Sequence, residues 1–427
     1  MKALYLICGF LIGLTSLHGQ TDSLYTLDYL DKSTRFAWLT YGGDVNYLSG
    51  GSTRQFIDGT KQPTDFGSTI IPRLTIGGIH FWGHADFYVS FPLSFLILQD
   101  TPAGLSDLDV FQGVETGVRI YPLKLKPGRL SPFAGISFRR TRFSQESETS
   151  DSENGVPSYG RSTTPLQFGL TYTSSKWHLS ASGYYNYQNK FDYYISPTEQ
   201  AEVELNPLSF NLSLLRYIDS DRYMRSESAV AAVNRNYETL KNADLLDAWF
   251  FGIGPSAALQ MSKSPYLNEN FTYFYDDYSA AILPDLTFGR YFHRPDANVN
   301  LTYRTYGEKY EGFDTEIKIR RHSIGLESVK FLFNYLGFVP FAGPVLSYEN
   351  LHTSVNGADY RENKLALGIT FGWDIRVTKA ESSLLRTNLR YYPDLHMNVE
   401  GEKMMFDHIE FNFIQWVQFI GRKKVLR

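Results

Sequence analysis

The sequence predicts an all-β fold: an antiparallel up-and-down β-barrel that crosses a membrane on its strands. Composition is the first sign. The chain holds 30 Tyr, 31 Phe and 6 Trp beside 34 Gly. Yet beyond its N-terminal run no stretch approaches the roughly 18 unbroken apolar residues of a membrane-spanning helix. Alternation is the second. In Gly83–Phe95 one face carries Ala85, Phe87, Val89, Phe91, Leu93 and Phe95, and the other His84, Asp86, Tyr88, Ser90, Pro92 and Ser94. Side chains of a strand point alternately to its two faces, so a period of two gives one face for lipid and one for a wet or filled lumen. Length is the third. The alternating stretches match the ~9–11 residues of a tilted bilayer-spanning strand and exceed the ~5–6 of an average one.

The N-terminus has the form of a secretory signal peptide. Lys2 precedes an apolar run from Leu4 to Leu14, and Ser16-Leu17-His18-Gly19 offers a small residue before Gln20, so residues 1–19 are expected to be cleaved. Residues 20–35 then form a periplasmic segment. The only cysteine, Cys8, leaves with the signal, which removes disulfides, thiol nucleophiles and cysteine metal sites. A net charge of −4 gives no reason to expect a nucleic-acid partner.

Period-two counting places strands near 36–48, 68–78, 83–95, 111–121, 132–143, 165–173, 176–188 and 206–217. A second set falls near 248–260, 280–290, 297–306, 314–326, 339–349, 363–377, 383–392 and 408–420. Connections after odd strands are long and those after even strands mostly short, the asymmetry of outer-membrane barrels, whose periplasmic turns are short. Both termini are therefore expected in the periplasm of a Gram-negative-type cell. The loop Ser144–Pro165 contains "SQESETSDSENG", acidic and serine-rich, as a solvated outer loop should be. Tyr185, Tyr187, Tyr391, Tyr392 and Trp416 stand at strand ends, where interfacial aromatics are expected.

The two sets repeat one another. "IIPRLTIG" (Ile70–Gly77) matches "ILPDLTFG" (Ile282–Gly289), and "PFAG" occurs at Pro132–Gly135 and Pro340–Gly343. "LQFGLTY" (Leu166–Tyr172) matches "LALGITF" (Leu365–Phe371), and "SFNLSLLRYI" (Ser209–Ile218) matches "EFNFIQWVQFI" (Glu410–Ile420). The order is kept, so we read a duplicated eight-strand unit, 36–218 and 248–421. Between them, in 219–247, Ala229, Val230, Val233, Tyr237 and Leu240 fall at helical spacing. Residues 422–427 are a basic tail. Phe133 and Phe341 suit an interfacial girdle, and Gly135 and Gly343 a close approach or a bend.

The hairpin "GVRIYPLKLKPGRLSPFAGISF", through Gly117, Tyr121, Pro122, Pro132, Phe133 and Gly135, resembles the outer-membrane β-barrel family that includes the OmpA- and OmpW-like proteins. The resemblance implies barrel architecture and no particular activity. That family has one eight-strand unit; here there are two. A single barrel of about 16 strands, wide enough for water, is the expected architecture, and two tandem eight-stranded barrels filled by side chains are the alternative.

Arg73, Asp86, Arg119, Arg304, Lys318, Arg320, Lys364, Asp374, Arg376, Arg386 and Arg390 are assigned to the inward face. In a wide pore their field would set ion preference, and the excess of cations would favour anionic solutes. In a narrow one they would be a salt-bridged plug. His178 and Ser180 share a strand face, as a serine and its base would, but no orienting acid is identifiable. "YFYDDYS" (Tyr273–Ser279) and "FDYYIS" (Phe191–Ser196) fall in outer loops. No His/Cys cluster or phosphate loop appears, so no metal, cofactor or enzymatic activity is expected. The expected function is a porin-like channel for small hydrophilic solutes. The alternatives are a non-conducting structural or interaction barrel and, distantly, a lipid-modifying enzyme. The expected partners are outer-membrane lipid and small solutes or other envelope proteins.

Overall fold

A computed structural model describes residues 38–57, 60–100, 108–145, 159–174, 176–194, 196–218, 227–260, 264–274, 280–334, 337–376 and 379–422. The signal peptide and the 20–35 segment lie outside the described residues, as do 146–158 of the acidic loop, Asp276-Asp277 and tail residues 423–427.

Sixteen long strands stand where alternation places them. The first eight are β1 (Trp38–Leu48), β2 (Thr69–His80), β3 (Ala85–Pro92), β4 (Leu108–Ile120), β5 (Arg129–Gln145), β6 (Leu166–Thr173), β7 (Trp177–Tyr185) and β8 (Leu208–Ile218). Each pairs antiparallel with the next. The last, β8, returns to β1 with Asn211 opposite Asn46. The second eight are β9 (Ala248–Gln260), β10 (Ala280–Phe292), β11 (Ala297–Gly312), β12 (Thr315–Phe331), β13 (Phe338–Val355), β14 (Ala358–Ile375), β15 (Ser383–Tyr391) and β16 (His408–Phe419). They form a closed barrel in which β16 returns to β9, Phe419 opposite Phe250.

The chain is therefore two tandem eight-stranded rings, and the expected single ring of sixteen is corrected. Its reason is the hydrogen-bond ladder: β8 is taken by β1 and β9 by β16, so neither ring has an edge left for the other. Eight strands enclose only enough room for side chains.

The long connections build a layer above each ring. Over the first, strands Gly51–Ile57, Thr60–Phe66, Lys190–Tyr194 and Gln200–Leu205 make a four-stranded sheet. Over the second lie a short helix, Pro265–Asn270, and the hairpin His396–Val399/Glu402–Met405. Between the rings runs a helix, Glu227–Asn242, where helical spacing predicts one. Its Tyr237 packs with Leu240, Leu246 and Ala380.

Outside the rings, alternate residues are exposed and large: Phe168, Leu170, Phe210, Leu212 and Leu214 on the first, Leu301, Leu326, Leu367, Ile369 and Phe371 on the second. An apolar exterior of this extent marks a lipid-facing surface. Tyr185, Tyr187 and Trp416 are exposed on it, as girdle residues should be. Tyr392 is not: it is fully buried in the second lumen, because its place in the alternation puts it on the inner face. Among the described residues no helix is long and apolar enough to cross a membrane.

The repeated Pro-Phe-Ala-Gly occupies β5 and β13. Phe133 and Phe341 both point inward and are buried, which corrects their girdle assignment. Each joins an apolar cluster at the short-turn end of its ring: Phe133 with Ile79, Tyr121 and Leu125, and Phe341 with Phe250, Tyr291, Phe331 and Phe419. The glycines meet one constraint in both copies. A Cβ on Gly135 would stand 2.0 Å from the Val118 carbonyl oxygen, and one on Gly343 1.9 Å from that of Ser328. The neighbouring strand comes too close for any side chain.

The rings touch through their lipid-facing sides. Val89, Phe91 and Val114 of the first pack on Phe411 and Ile414 of the second. Trp373 lies 6.2 Å, centroid to centroid, from Phe87. An ion pair of 3.3 Å joins Arg140 to Glu308. We predict that residues 36–218, expressed alone, refold in detergent into a heat-modifiable barrel, checked by gel mobility with and without boiling. A fragment that stays unfolded until residues 248–422 are supplied would contradict self-contained closure.

Candidate functional site: two filled lumens

Alternation sends one residue in two into each ring, and in the first these make a polar core. On β2, Arg73 donates from Nε to Asp44 Oδ1 on β1 and from Nη1 to Glu115 Oε2 on β4, both at 2.8 Å. Asp44 also accepts from Ser90 at 2.9 Å and from Asn211 at 2.5 Å. Glu115 accepts from the Tyr88 hydroxyl at 2.7 Å. Nearer the short turns, Arg119 pairs with Asp86 at 3.3 Å and lies over the Tyr88 ring at 4.4 Å.

The second lumen follows the same plan with other residues. On β15, Arg390 bridges Asp285 of β10, at 2.6 Å, and Glu327 of β12. Asn412 also donates to Asp285, at 2.7 Å. Arg321 grips Glu349 with both arms, at 2.6 and 2.8 Å, and reaches Glu410 at 3.0 Å. Glu410 also takes Arg304, which lies over the Tyr392 ring. Arg386 holds Asp374 with two bonds of 2.7 and 2.9 Å, and Arg376 pairs with Asp296 at 3.0 Å. Two-armed arginine–carboxylate pairs are the strongest and most geometrically specific of such contacts.

Arg73, Asp86, Arg119, Arg304, Asp374, Arg376, Arg386 and Arg390 are thus inside and buried. The expected excess of cations disappears because the carboxylates Asp44, Glu115, Asp285, Glu327, Glu349 and Glu410 share the same faces. Strand parity alone could have found them: Asp44 alternates with outward Tyr41, Val45 and Tyr47 once the Gly42-Gly43 pair is counted through. Two assignments are corrected. Lys318 and Arg320 face outward, and the buried cation of that stretch is Arg321. The cause is an inversion of polarity along β12. Ile317 and Ile319 turn inward beneath the outer layer, while the outer face there has left the lipid and carries charge. Lys318 instead pairs with Glu316, whose carboxyl is drawn down to about 2 by hydrogen bonds from Lys318 and Lys309. Lys364 has inward parity but stands at the long-loop end, partly exposed and paired with Glu362 at 2.8 Å.

Each polar core is closed above and below. Over the first lie Phe66, Val110, Phe143, Phe191 and Val203, and over the second Ile317, Ile319, Leu351, Met397 and Met404. The clusters around Phe133 and Phe341 close the short-turn ends. His178 and Ser180 are buried in the first lumen. The His178 ring nitrogen Nδ1 lies 3.1 Å from the Tyr217 hydroxyl, and Ser180 bonds Thr171 at 3.0 Å. Tyr273 is partly buried and bonds Thr315, and Phe191 is buried in the cap of the first ring. Among the described residues no cluster of His, Cys, Asp or Glu could hold a metal ion.

Paired strands closed into rings, an apolar exterior and filled polar lumens define the class: a transmembrane β-barrel protein of the outer-membrane type, built as two barrels in tandem. No family model matches the chain, and no curated protein does. Similar solved structures include neisserial surface protein A, at 16% identity over 40% of this chain and 96% of that one, with a TM-score of 0.28. They also include the outer membrane protein OprG from Pseudomonas aeruginosa, at 13% identity over 43% and 97%, TM-score 0.30. An outer membrane channel from Pseudomonas putida F1 has 10% identity over 93% and 100%, TM-score 0.23.

Removing one partner of a buried ion pair strands the other in low dielectric. Arg390→Met leaves Asp285 and Glu327 facing each other, and we expect a loss of roughly 3–5 kcal/mol. Urea unfolding of the protein in lipid vesicles checks this. Adding Asp285→Asn and Glu327→Gln to the variant should recover much of the loss.

Proposed function

We propose that the protein is a non-conducting barrel pair of the outer membrane, which anchors an ordered layer at its long-loop end for contact with other envelope or surface molecules. One observation carries the reading: each lumen is filled by matched ion pairs and stoppered at both ends by apolar side chains. A hydrophilic solute would have to separate Arg73 from Asp44 and Glu115, or Arg390 from Asp285 and Glu327, after passing a plug of aromatic rings. Separating a buried pair costs several kcal/mol.

The layers are built for a fixed shape. Tyr159 and Phe191 stack at 4.7 Å over the first ring, and Phe271, Tyr273, Phe274 and Tyr310 form a continuous aromatic cluster over the second. Ordered loops present a constant surface to a partner and lose little entropy on binding. The reading assigns no catalytic step: His178 and Ser180 are buried and help fill the lumen.

The competing reading is the porin-like channel for small hydrophilic solutes, and planar bilayers distinguish the two. We expect the purified, heat-modifiable protein to give no regular conductance steps across a range of salts and voltages. Uniform steps that scale with protein insertion would return the function to the channel.

A further inference from the structure

The outward turn of Arg320 creates a second feature. Strand pairing sets Gly307 of β11, Arg320 of β12, His352 of β13 and Arg361 of β14 in one cross-strand row. All four positions have outward parity. Arg320 is exposed, and the Arg361 side chain is 71% exposed. One carboxylate serves two of the three basic groups. Asp359 lies 3.0 Å from the His352 ring and 3.9 Å from Arg361, and Arg320 has no ion pair among the described residues. Gly307 leaves the space beside Arg320 open: a Cβ there would meet nothing nearer than the Ile319 oxygen at 3.5 Å.

The level of this row identifies what it would meet. Four residues nearer the short turns, the same strands present the row Tyr303, Ile324, Tyr348 and Leu365, all large and exposed. That is a lipid-facing rim with two tyrosines, the composition of an interfacial girdle. Four residues of a tilted strand rise about 10 Å along the membrane normal. The basic row therefore stands where lipid headgroups begin, and arginine stems can bend toward a phosphate while keeping the guanidinium hydrated. Arg320 and Arg361 keep their exposure with the first ring in place, since that ring meets the second at Trp373, Phe411, Ile414 and Glu308.

We propose that Arg320, His352 and Arg361 form a binding site for the phosphate of an anionic membrane lipid, held against the outside of the second ring at its long-loop end. Guanidinium groups donate in a planar fork that fits phosphate oxygens, and the neighbouring Tyr348 and Leu365 would lie along the acyl chains. The ligand is thus a lipid recognised by headgroup charge and chain together. The assignment depends on the membrane-barrel fold and is independent of whether the lumens conduct.

The test is native mass spectrometry of the full chain in detergent, titrated with diphosphoryl lipid A and, separately, with phosphatidylcholine. The expected result is saturable binding of the phosphorylated lipid in preference to phosphatidylcholine. Affinity should fall about tenfold in the Arg320→Gln/Arg361→Gln variant, which removes two surface cations. Heat modifiability reports that the variant is folded. Arg216→Gln/Arg290→Gln, on the exterior near the short-turn rim, should bind as the unaltered protein does. Equal affinity in the Arg320/Arg361 variant overturns the site, as does no preference over phosphatidylcholine. An equal loss in the Arg216/Arg290 control shows diffuse charge and also overturns it. Displacement by inorganic phosphate at matched concentration would make the row a free-anion site and overturn the lipid assignment.

Discussion

In hydrocarbon a strand cannot leave its backbone groups unpaired, because no water is there to take them and each orphan costs several kcal/mol. A membrane sheet must therefore close, and where it closes decides the rest. Here β8 returns to β1 and β16 to β9. Closure at eight strands fixes a lumen that only side chains can fill. That lumen cannot be wholly apolar on strands that alternate with a lipid face, or the chain would read as a run of hydrophobic segments and lose the period that sets its register. The polar filling must then satisfy itself. Arginines do this well, since one guanidinium reaches two carboxylates, as Arg73 and Arg390 do, or grips one with both arms, as Arg321 and Arg386 do.

Such pairs are not a source of great net stability. Bringing two charges out of water costs most of what their attraction returns. What they would contribute is specificity of register. A one-residue slip of β15 would turn Arg390 and Arg386 into lipid and leave Asp285 and Asp374 inside without them, so the mispaired barrel is disfavoured. The apolar clusters above and below complete the arrangement by covering the pairs at both ends of each lumen.

The positions of the strands are legible in the sequence because the lipid face writes a period of two directly into the chain. The closure is not. The same sixteen strands and the same alternation of long and short loops serve one wide ring or two narrow ones, and the deciding contact, Asn46 opposite Asn211, joins residues far apart in sequence. An aromatic near a strand end suits a girdle or a stopper equally well, and only parity separates Phe133 and Tyr392 from Tyr185. Lys318 and Arg320 mislead for a related reason. Polarity marks the inner face only within the bilayer. Beyond it the outer face is wet and the inner face packs beneath a cap, so the pattern continues with its meaning reversed.

The two copies show which features the architecture holds fixed. "IIPRLTIG" and "ILPDLTFG" match residue for residue across β2 and β10 except in small changes and one large one: Arg73 in the first stands where Asp285 stands in the second. Each lies inside its ring and each has found an opposite charge, but from a different direction. Arg73 takes Asp44 from the neighbouring strand β1, whereas Asp285 takes Arg390 from across the lumen on β15. The asparagines of the matched final strands, Asn211 and Asn412, both donate to the acid of their own ring, Asp44 or Asp285. Neutrality of a buried lumen, with no constraint on which residue meets it, accounts for an inverted charge in otherwise similar segments that different partners compensate. That exchange favours the non-conducting reading proposed above, since in a conducting pore reversing one charge in a narrow passage reverses the local preference for ions.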